Sequence, residues 1–528
     1  MSSPITEPRQ SSDRPSTFLS VVTCVGLGLS LSLAVPHGQA PPAFDLVIRG
    51  GTLVDGTGAP ARRADIGVTG DRIARIAEDG IDPTQGRLVL DAGGDIVSPG
   101  FVDQHAHVQN IADYPLAETH VRQGITSIVS SPHSGEQVYP LDTYIATLKV
   151  VPNIGYYSGH SSIRRRVIGM APREATASEL AEMKRLVAQD MAHGALGLST
   201  GLAIPPGSRA PLSEIIELAK VAAIDGGVYV SHIRDDATGV LAAVEEFLKV
   251  VDATGMPGQI SHHTVSGAAQ WGQTAETLAM VDAARARGRD VTLDIYPYTH
   301  VALASSSLMP DGARTEVDIE QLFRAKYVGD DLARLRFLTA PGAPQYVGKT
   351  MADLARDRAM PVSARSAARL VLDLEKNGGF TAAAETIRED DLRRLMRHPA
   401  VLFDTEDRLV GFGEGNPQPR TYGSFPRILG RYVREQHVLT LEEAIRKMTS
   451  MSADQIGQKD RGRIRAGAFA DITVFNANII ADRATFENPH QFSVGIRHVI
   501  VNGVPVIRNG ALTGEKPGRA LKGPARPH

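Results

Sequence analysis

Residues 101–108 read FVDQHAHV, an apolar run of strand length that closes on two histidines set two positions apart. Side chains alternate along a strand, so His105 and His107 share one face. Seven further runs of the same kind follow: TSIVSS (126–131), NIGYYSG (153–159), ALGLST (195–200), VYVSHI (228–233), GQISHH (258–263), VTLDIY (291–296) and AVLFDTE (400–406). Segments of helical periodicity stand between several of them, among them ASELAEMKRLVAQDM, SEIIELAKVAAI, VLAAVEEFLKVV and ETLAMVDAARAR. Strands that alternate with helices mark βα units and a parallel sheet. Eight such units in about 300 residues predict an α/β fold of the (β/α)8 TIM-like barrel type rather than an open doubly wound sheet.

On both sides of this region the texture changes. Residues 44–98 hold short strands punctuated by Gly-Gly, Asp-Gly and Gly-Asp pairs, which mark hairpins. The same texture returns in RGRIRAGAFADITVF and IRHVIVNGVPVIRNG, which predicts one small domain built from both ends. The interval from Thr299 to Pro399 far exceeds the roughly ten residues that a barrel connection needs. Its helical pieces VDIEQLFRAKY and RSAARLVLDLEK read as an insertion or lid over the barrel mouth, about residues 300–398. The C-terminal GEKPGRALKGPARPH reads as a loose tail.

Of the 528 residues, 42% are hydrophobic and 22% charged, and 56 basic side chains against 59 acidic ones leave a net charge of -3. That balance excludes a disordered tail protein and a basic nucleic-acid binder, so no nucleic-acid partner is expected. With one cysteine, Cys24, disulfides, zinc ribbons and cysteine catalysis in the folded body are excluded. Any metal site must use histidines and carboxylates. Cys24 lies in the apolar run FLSVVTCVGLGLSLSLAV, after a polar stretch with Arg9 and Arg14 and before the small residues Gly38 and Ala40. Residues 1–40 therefore read as a signal peptide or an N-terminal anchor, since 18 apolar residues also just span a bilayer. Either reading puts the body in the periplasm or outside the cell, with membrane contact only through an uncleaved N-terminal segment. The oligomeric state is left open by the sequence.

A (β/α)8 barrel carries its chemistry at the C-terminal ends of the strands. His105 and His107 end the first run, the second leads to His133, the fifth and sixth end at His232 and His262, and the eighth at Asp404, Glu406 and Asp407. Five of the sixteen histidines thus converge on one rim. Imidazoles with a carboxylate match sites for one or two divalent ions, zinc (Zn2+) first, with an open position for water.

Further motifs stand on either side of these histidines: the glycine-rich start at residues 50–58, PGFVDQHAH (99–107), GALGLSTGLAIPPGS (194–208), YVSHIRDD (229–236), QISHH (259–263), DIYPYT (294–299), RTYGSFPRILGRYVRE (420–435) and KDRGRIRAGAFADITVF (459–475). Together, over about residues 44–510, they resemble the N-acyl-D-amino-acid deacylases (D-aminoacylases) of the amidohydrolase superfamily. The resemblance implies a zinc enzyme with the barrel over residues 99–464 and a small β-sandwich over 44–98 and 465–515. It implies that His232 and His262 hold the tighter zinc and that His105 and His107 help form a second, weaker site. A cysteine normally completes the tight site, but GITSIVSSPHSG puts His133 in its place. A neutral imidazole in place of a thiolate makes the site one unit more positive, which should alter Lewis acidity and metal preference. The family's Ser-Asp-Gly after strand eight matches Thr405-Glu406-Asp407, so Glu406 falls on the catalytic acid, while Asp407 and Asp404 stay open as alternatives.

The implied reaction is hydrolysis of the amide C–N bond of an N-acyl-D-amino acid or a related small amide by a metal-activated hydroxide, with Glu406 as general base and then acid. Of the positions that hold the substrate carboxylate in the family, this chain keeps Tyr296, Tyr298 and Arg420; the lysine has become Thr264 and the serine Ala302. A cyclic-amide hydrolase of the hydantoinase or dihydroorotase type is an alternative, though ALGLST lacks the metal-bridging lysine expected on strand four. A catalytically inactive ligand-binding homologue is another. His160 and His263 read as packing residues, Arg164 to Arg166 as a solvated helix start, and Trp271 as a cover for the barrel mouth.

Overall fold

Parallel strands carry the middle of the chain. In the computed structural model, which describes residues 43–133, 137–309 and 315–523, the strands Phe101–Ala106, Ile125–Ser130 and Asn153–Tyr156 form one parallel arc. A second parallel arc runs through Ser158–Gly159, Gly197–Gly201, Val228–His232, Gly258–Ile260, Val291–Ile295 and Val401–Phe403. Only Tyr157 separates the end of one arc from the start of the other, so both share the third run read from the sequence. At the opposite edges, Glu406 N donates to His105 O (3.0 Å) and His107 N to Asp407 O (2.9 Å), which lays the eighth run against the first. The segment 1–40 lies outside the described residues. Among those described, no helix is long and apolar enough to cross a membrane.

The strands are buried from end to end, as parallel strands covered on both faces must be. The helices Ala177–Ala192, Leu212–Ile224, Val240–Thr254 and Thr274–Ala286 supply the cover. In Val240–Thr254 the buried residues Val240, Ala243, Val244, Phe247 and Val251 recur at the spacing of one helical face. Gly255, left-handed at φ 69°, ends that helix without the penalty a Cβ would carry.

Inside the strands, Val102, Val129, Tyr157, Leu196, Val228 and Val230 pack with Ala453, Ile456 and Leu521. Leu521 belongs to the tail expected to be loose, and that expectation fails as far as Gly523. Ile154 N donates to Arg519 O (2.9 Å), Leu521 N to Ile154 O (2.8 Å) and Gly523 N to Gly194 O (3.1 Å). The tail crosses just ahead of the third and fourth strands so closely that a Cβ on Gly518 would lie 2.1 Å from Pro152 O. An apolar leucine among polar and small residues gives this segment its anchor.

Both chain ends meet in a nine-stranded sheet. Phe44–Leu53, Arg62–Thr69, Arg72–Ala77, Gly86–Asp91 and Ile96–Pro99 come from the front, and Ile472–Phe475, Ile496–Val501, Val504–Arg508 and Ala511–Leu512 from the back. The halves join where Ile96–Pro99 pairs antiparallel with Ile472–Phe475. The long insertion has a sheet of its own, with Thr381–Glu385 between His300–Ala304 and Leu335–Thr339. Helices Glu316–Lys326, Met351–Asp357 and Ala364–Lys376 close a separate core around Phe323, Phe337, Leu370 and Phe380.

Candidate metal centre

The five rim histidines come together. Ring centroids of His105 and His107 are 5.5 Å apart, and those of His232 and His262 are 4.4 Å apart. His133 stands between the pairs, 5.0 Å from His105, 4.8 Å from His107 and 5.5 Å from His232. Its neighbours fix it there: Ser131 Oγ lies 3.3 Å from His133 Nδ1, and the loop passes so close over the fourth strand that a Cβ on Gly201 would lie 2.6 Å from His133 O. Among the described residues, four triplets offer ligand atoms within 4.8 Å of one another: His105, His107 and His133; His133, His232 and His262; His105, His262 and Glu406; and His105, Asp294 and Asp404.

Of the three candidate acids, Glu406 comes nearest to the histidines and alone contacts two of them. Its Oε2 is 3.0 Å from His105 Nε2 and 3.4 Å from His107 Nε2. Asp407 turns aside, with Oδ2 accepting from Thr421 Oγ1 (2.7 Å) and Arg420 Nε (3.3 Å). Asp404 is fully buried behind His105, 3.8 Å from Nδ1. Burial and the adjacent Asp294 carboxylate push Asp404 well above the usual carboxylate range. Glu406 and His262 both hold left-handed backbone, at φ 47° and 34°, which costs a residue with a Cβ about 1 kcal/mol or more. Backbone bonds impose these conformations: Glu406 N to His105 O, and His262 N to Asp294 Oδ1 (2.6 Å).

The charge states suit a cation. Burial holds His133 well below the ordinary imidazole range and lowers His262 as well. Burial and then His262 bring His232 down to about 3. These imidazoles are therefore neutral, with lone pairs available. Burial alone would raise Glu406, but His105, His262 and His107 hold it well below the carboxylate range. For His105 burial acts downward and is outweighed by the carboxylates of Glu406 and Asp294. His105 Nε2 and Glu406 Oε2 are buried and have no hydrogen-bond partner. Orphaned buried donors and acceptors of this kind are rare unless an ion or water completes them, and neutral imidazoles with a carboxylate are the donor set of a divalent metal.

Two residues missed in the sequence support the site. Asp294 sits inside the apolar run VTLDI, bonds His262 N and the Gln259 side chain, and lies 3.2 Å from His105 Nδ1, so it orients both histidines. Asp103 takes Thr405 Oγ1 (2.6 Å) and the backbone N–H of His105 (3.2 Å), and burial pushes it up to about 7. Acidic residues in the middle of otherwise apolar strands were the available signal.

Beside the histidines opens a cavity of about 520 Å³. His232, His262, Thr264, Tyr296, Glu406 and Arg420 of the barrel line it together with Val301, Ala302, Leu303, Lys326 and Tyr327 of the insertion. The Arg420 guanidinium lies 4.4 Å over the Tyr296 ring. Tyr298 is a correction: it does not line this cavity, because its hydroxyl is 3.2 Å from Asp482 Oδ2 and Arg427 covers its ring. Regular strand ends at Ile295, so the two-residue alternation that would aim both tyrosines alike does not extend past Pro297. Arg164 is also corrected, from solvated to fully buried, bonded to Glu214, whose other oxygen lies 2.9 Å from His160 Nε2. His263 bonds Thr277 (2.8 Å), and Trp271 Nε1 donates to Thr386 O (3.0 Å) at the edge of the insertion.

The chain is similar to known proteins over most of its length. A family model described as "Amidohydrolase family" matches residues 339–507. An N-acyl-D-glutamate deacylase of Alcaligenes xylosoxydans xylosoxydans is 37% identical over 91% of this chain and 96% of its own, and a D-aminoacylase of the same organism is 34% identical over 90% and 97%. The crystal structure of N-acyl-D-glutamate deacylase from Bordetella bronchiseptica, complexed with zinc and a phosphonate inhibitor that mimics the tetrahedral intermediate, superposes with a TM-score of 0.76. It is 34% identical and covers 91% of this chain and 99% of that one.

Proposed function

This chain belongs to the N-acyl-D-amino-acid deacylases, metal-dependent enzymes of the amidohydrolase family, and from that premise we propose that it deacylates N-acyl-D-amino acids with zinc at the histidine cluster and Glu406 as the proton carrier. The observation that carries this reading is the position of Glu406, the one strand-eight acid that faces both the histidines and the cavity.

His133, His232 and His262 form the tighter site in this reading, and His105 and His107 share His133 to make the second. A divalent ion held by these residues would supply Lewis acidity, which activates water near neutral pH and polarises an amide carbonyl. Glu406, ionised beforehand, takes the proton of the attacking water at Oε2 and returns it to the leaving nitrogen. Arg420, steadied by Asp407 and stacked on Tyr296, faces the substrate carboxylate with its two terminal nitrogens. The apolar residues of the insertion that line the cavity limit the access of bulk water to it. The two parallel arcs make one closed (β/α)8 barrel, and the two-ended sheet is the small β-sandwich. The apolar run at residues 18–35 supports export to the periplasm or beyond. The cyclic-amide reading is not favoured: Gly197–Gly201 carries no lysine.

The test is amine release by the zinc-loaded protein from paired N-acetyl-D and N-acetyl-L amino acids, with a chelated control. Chelator-sensitive cleavage of the D series is the expected result. Silence on both series with zinc bound would overturn it.

A further inference from the structure

The cavity that Arg420 lines holds a second cation, which comes from the insertion. Lys326, the last residue of the helix Glu316–Lys326, lines the cavity beside Thr264 and Ser266. Its Nζ is 2.6 Å from Asp236 Oδ1, and Asp236 is itself fixed by Ser266, whose Oγ donates to Oδ2 (3.0 Å) and whose backbone N–H donates to the Asp236 carbonyl (2.7 Å).

We propose that Lys326 is a specificity-determining residue that binds the substrate carboxylate together with Arg420, in the cavity where Thr264 offers no charge. Three facts support it. An ammonium has three donors, and the bond to Asp236 uses one, so Asp236 aims the group without exhausting it. The Lys326 side chain lines the cavity and keeps 35% of its surface exposed, while its partner Asp236 is more enclosed at 19%. Lys326 and Arg420 are the two lysine or arginine side chains among the described residues that line this cavity. The insertion therefore contributes charge to substrate selection as well as cover.

This inference rests on the deacylase reading, and its test separates the two. Lys326→Met and Lys326→Arg are compared with the parent on an N-acetyl-D-amino acid and on the same compound with a carboxamide in place of the carboxylate. The expected result for Lys326→Met is a KM increase of roughly 10- to 100-fold for the acid with kcat little changed. The preference for acid over carboxamide falls by the same factor, and Lys326→Arg restores most of it. Equal losses on acid and carboxamide, or no loss on the acid, would overturn the proposal. Trp271, the sole tryptophan, gives a readout independent of turnover through its bond to Thr386 on the cavity rim. If the parent cleaves no N-acyl-D-amino acid, the deacylase reading fails. Titration of Trp271 fluorescence with the same two compounds then still decides the role of Lys326: tighter binding of the acid in the parent and not in Lys326→Met supports it, and equal binding in both proteins overturns it.

Discussion

Nε2 of His105 and Oε2 of Glu406 lie 3.0 Å apart, at the seam where the first and eighth parallel strands meet. Replacing Glu406 with Gln keeps the shape and removes the base. Turnover should fall about 10²- to 10⁴-fold while bound metal, measured by atomic emission, changes little. Unchanged turnover would move the proton to another acid, with Asp404 next in line.

His133 touches both histidine pairs, so its replacement should affect both metal positions. His133→Cys should favour softer ions, and cobalt-loaded protein should gain an intense thiolate charge-transfer band. His133→Ala should lower metal content by at least one equivalent per chain.

Metal uptake should release protons. Carboxylates raise His105 above its ordinary range in the metal-free protein, so the ion must displace a proton there, and affinity should fall as pH drops below neutrality. Calorimetric titration with zinc in buffers of different ionisation enthalpy measures the number released. At 100 times its dissociation constant, zinc should also add ~2.7 kcal/mol to stability, read as a higher unfolding midpoint that chelator reverses.

Lys447 is fully buried and donates to the carbonyls of Met396 (2.8 Å) and His398. Burial pulls its ammonium down to about 7. Below that pH the lysine is charged in both the folded and unfolded chain, and the cost of burying the charge is paid in full. Between about 7 and the unfolded value of about 10.4 the unfolded chain binds the extra proton, so this residue should make stability rise with pH by up to ~1.4 kcal/mol per unit. Urea unfolding from pH 6 to 9 should show that slope in the parent and lack it in Lys447→Met.

Arg164 and Glu214 form a buried pair with His160. Arg164→Met leaves the Glu214 carboxylate without its main counter-charge, at a cost of about 3 to 5 kcal/mol. A matched loss in Arg164→Met and Glu214→Gln, not additive in the double variant, would identify the pair as one unit.

The barrel strands and the histidines were readable in the sequence for the same reason. A parallel strand buried on both faces must be a continuous apolar run, and polar residues at its C-terminal end have few uses besides chemistry. Asp294 and Asp103 escaped because they lie inside such runs, where their partners come from other strands. Lys326 was invisible for a different reason: Asp236 is 90 positions away, and no local pattern links them. Leu521 was lost in a stretch whose Gly, Pro and charge content describes a tail and whose single apolar side chain does the anchoring.

The pairing of Ile96–Pro99 with Ile472–Phe475 has a consequence for how the protein is made. Ser98 must wait for Thr473, 375 positions later, before its sheet can close. At about 5 to 20 residues per second, synthesis leaves the first half-sheet with an unpaired edge for tens of seconds. Such an edge invites pairing with another chain. The nascent protein is therefore most exposed to aggregation during translation, and slowing elongation or depleting chaperones should reduce its soluble yield more than it reduces the stability of molecules already folded.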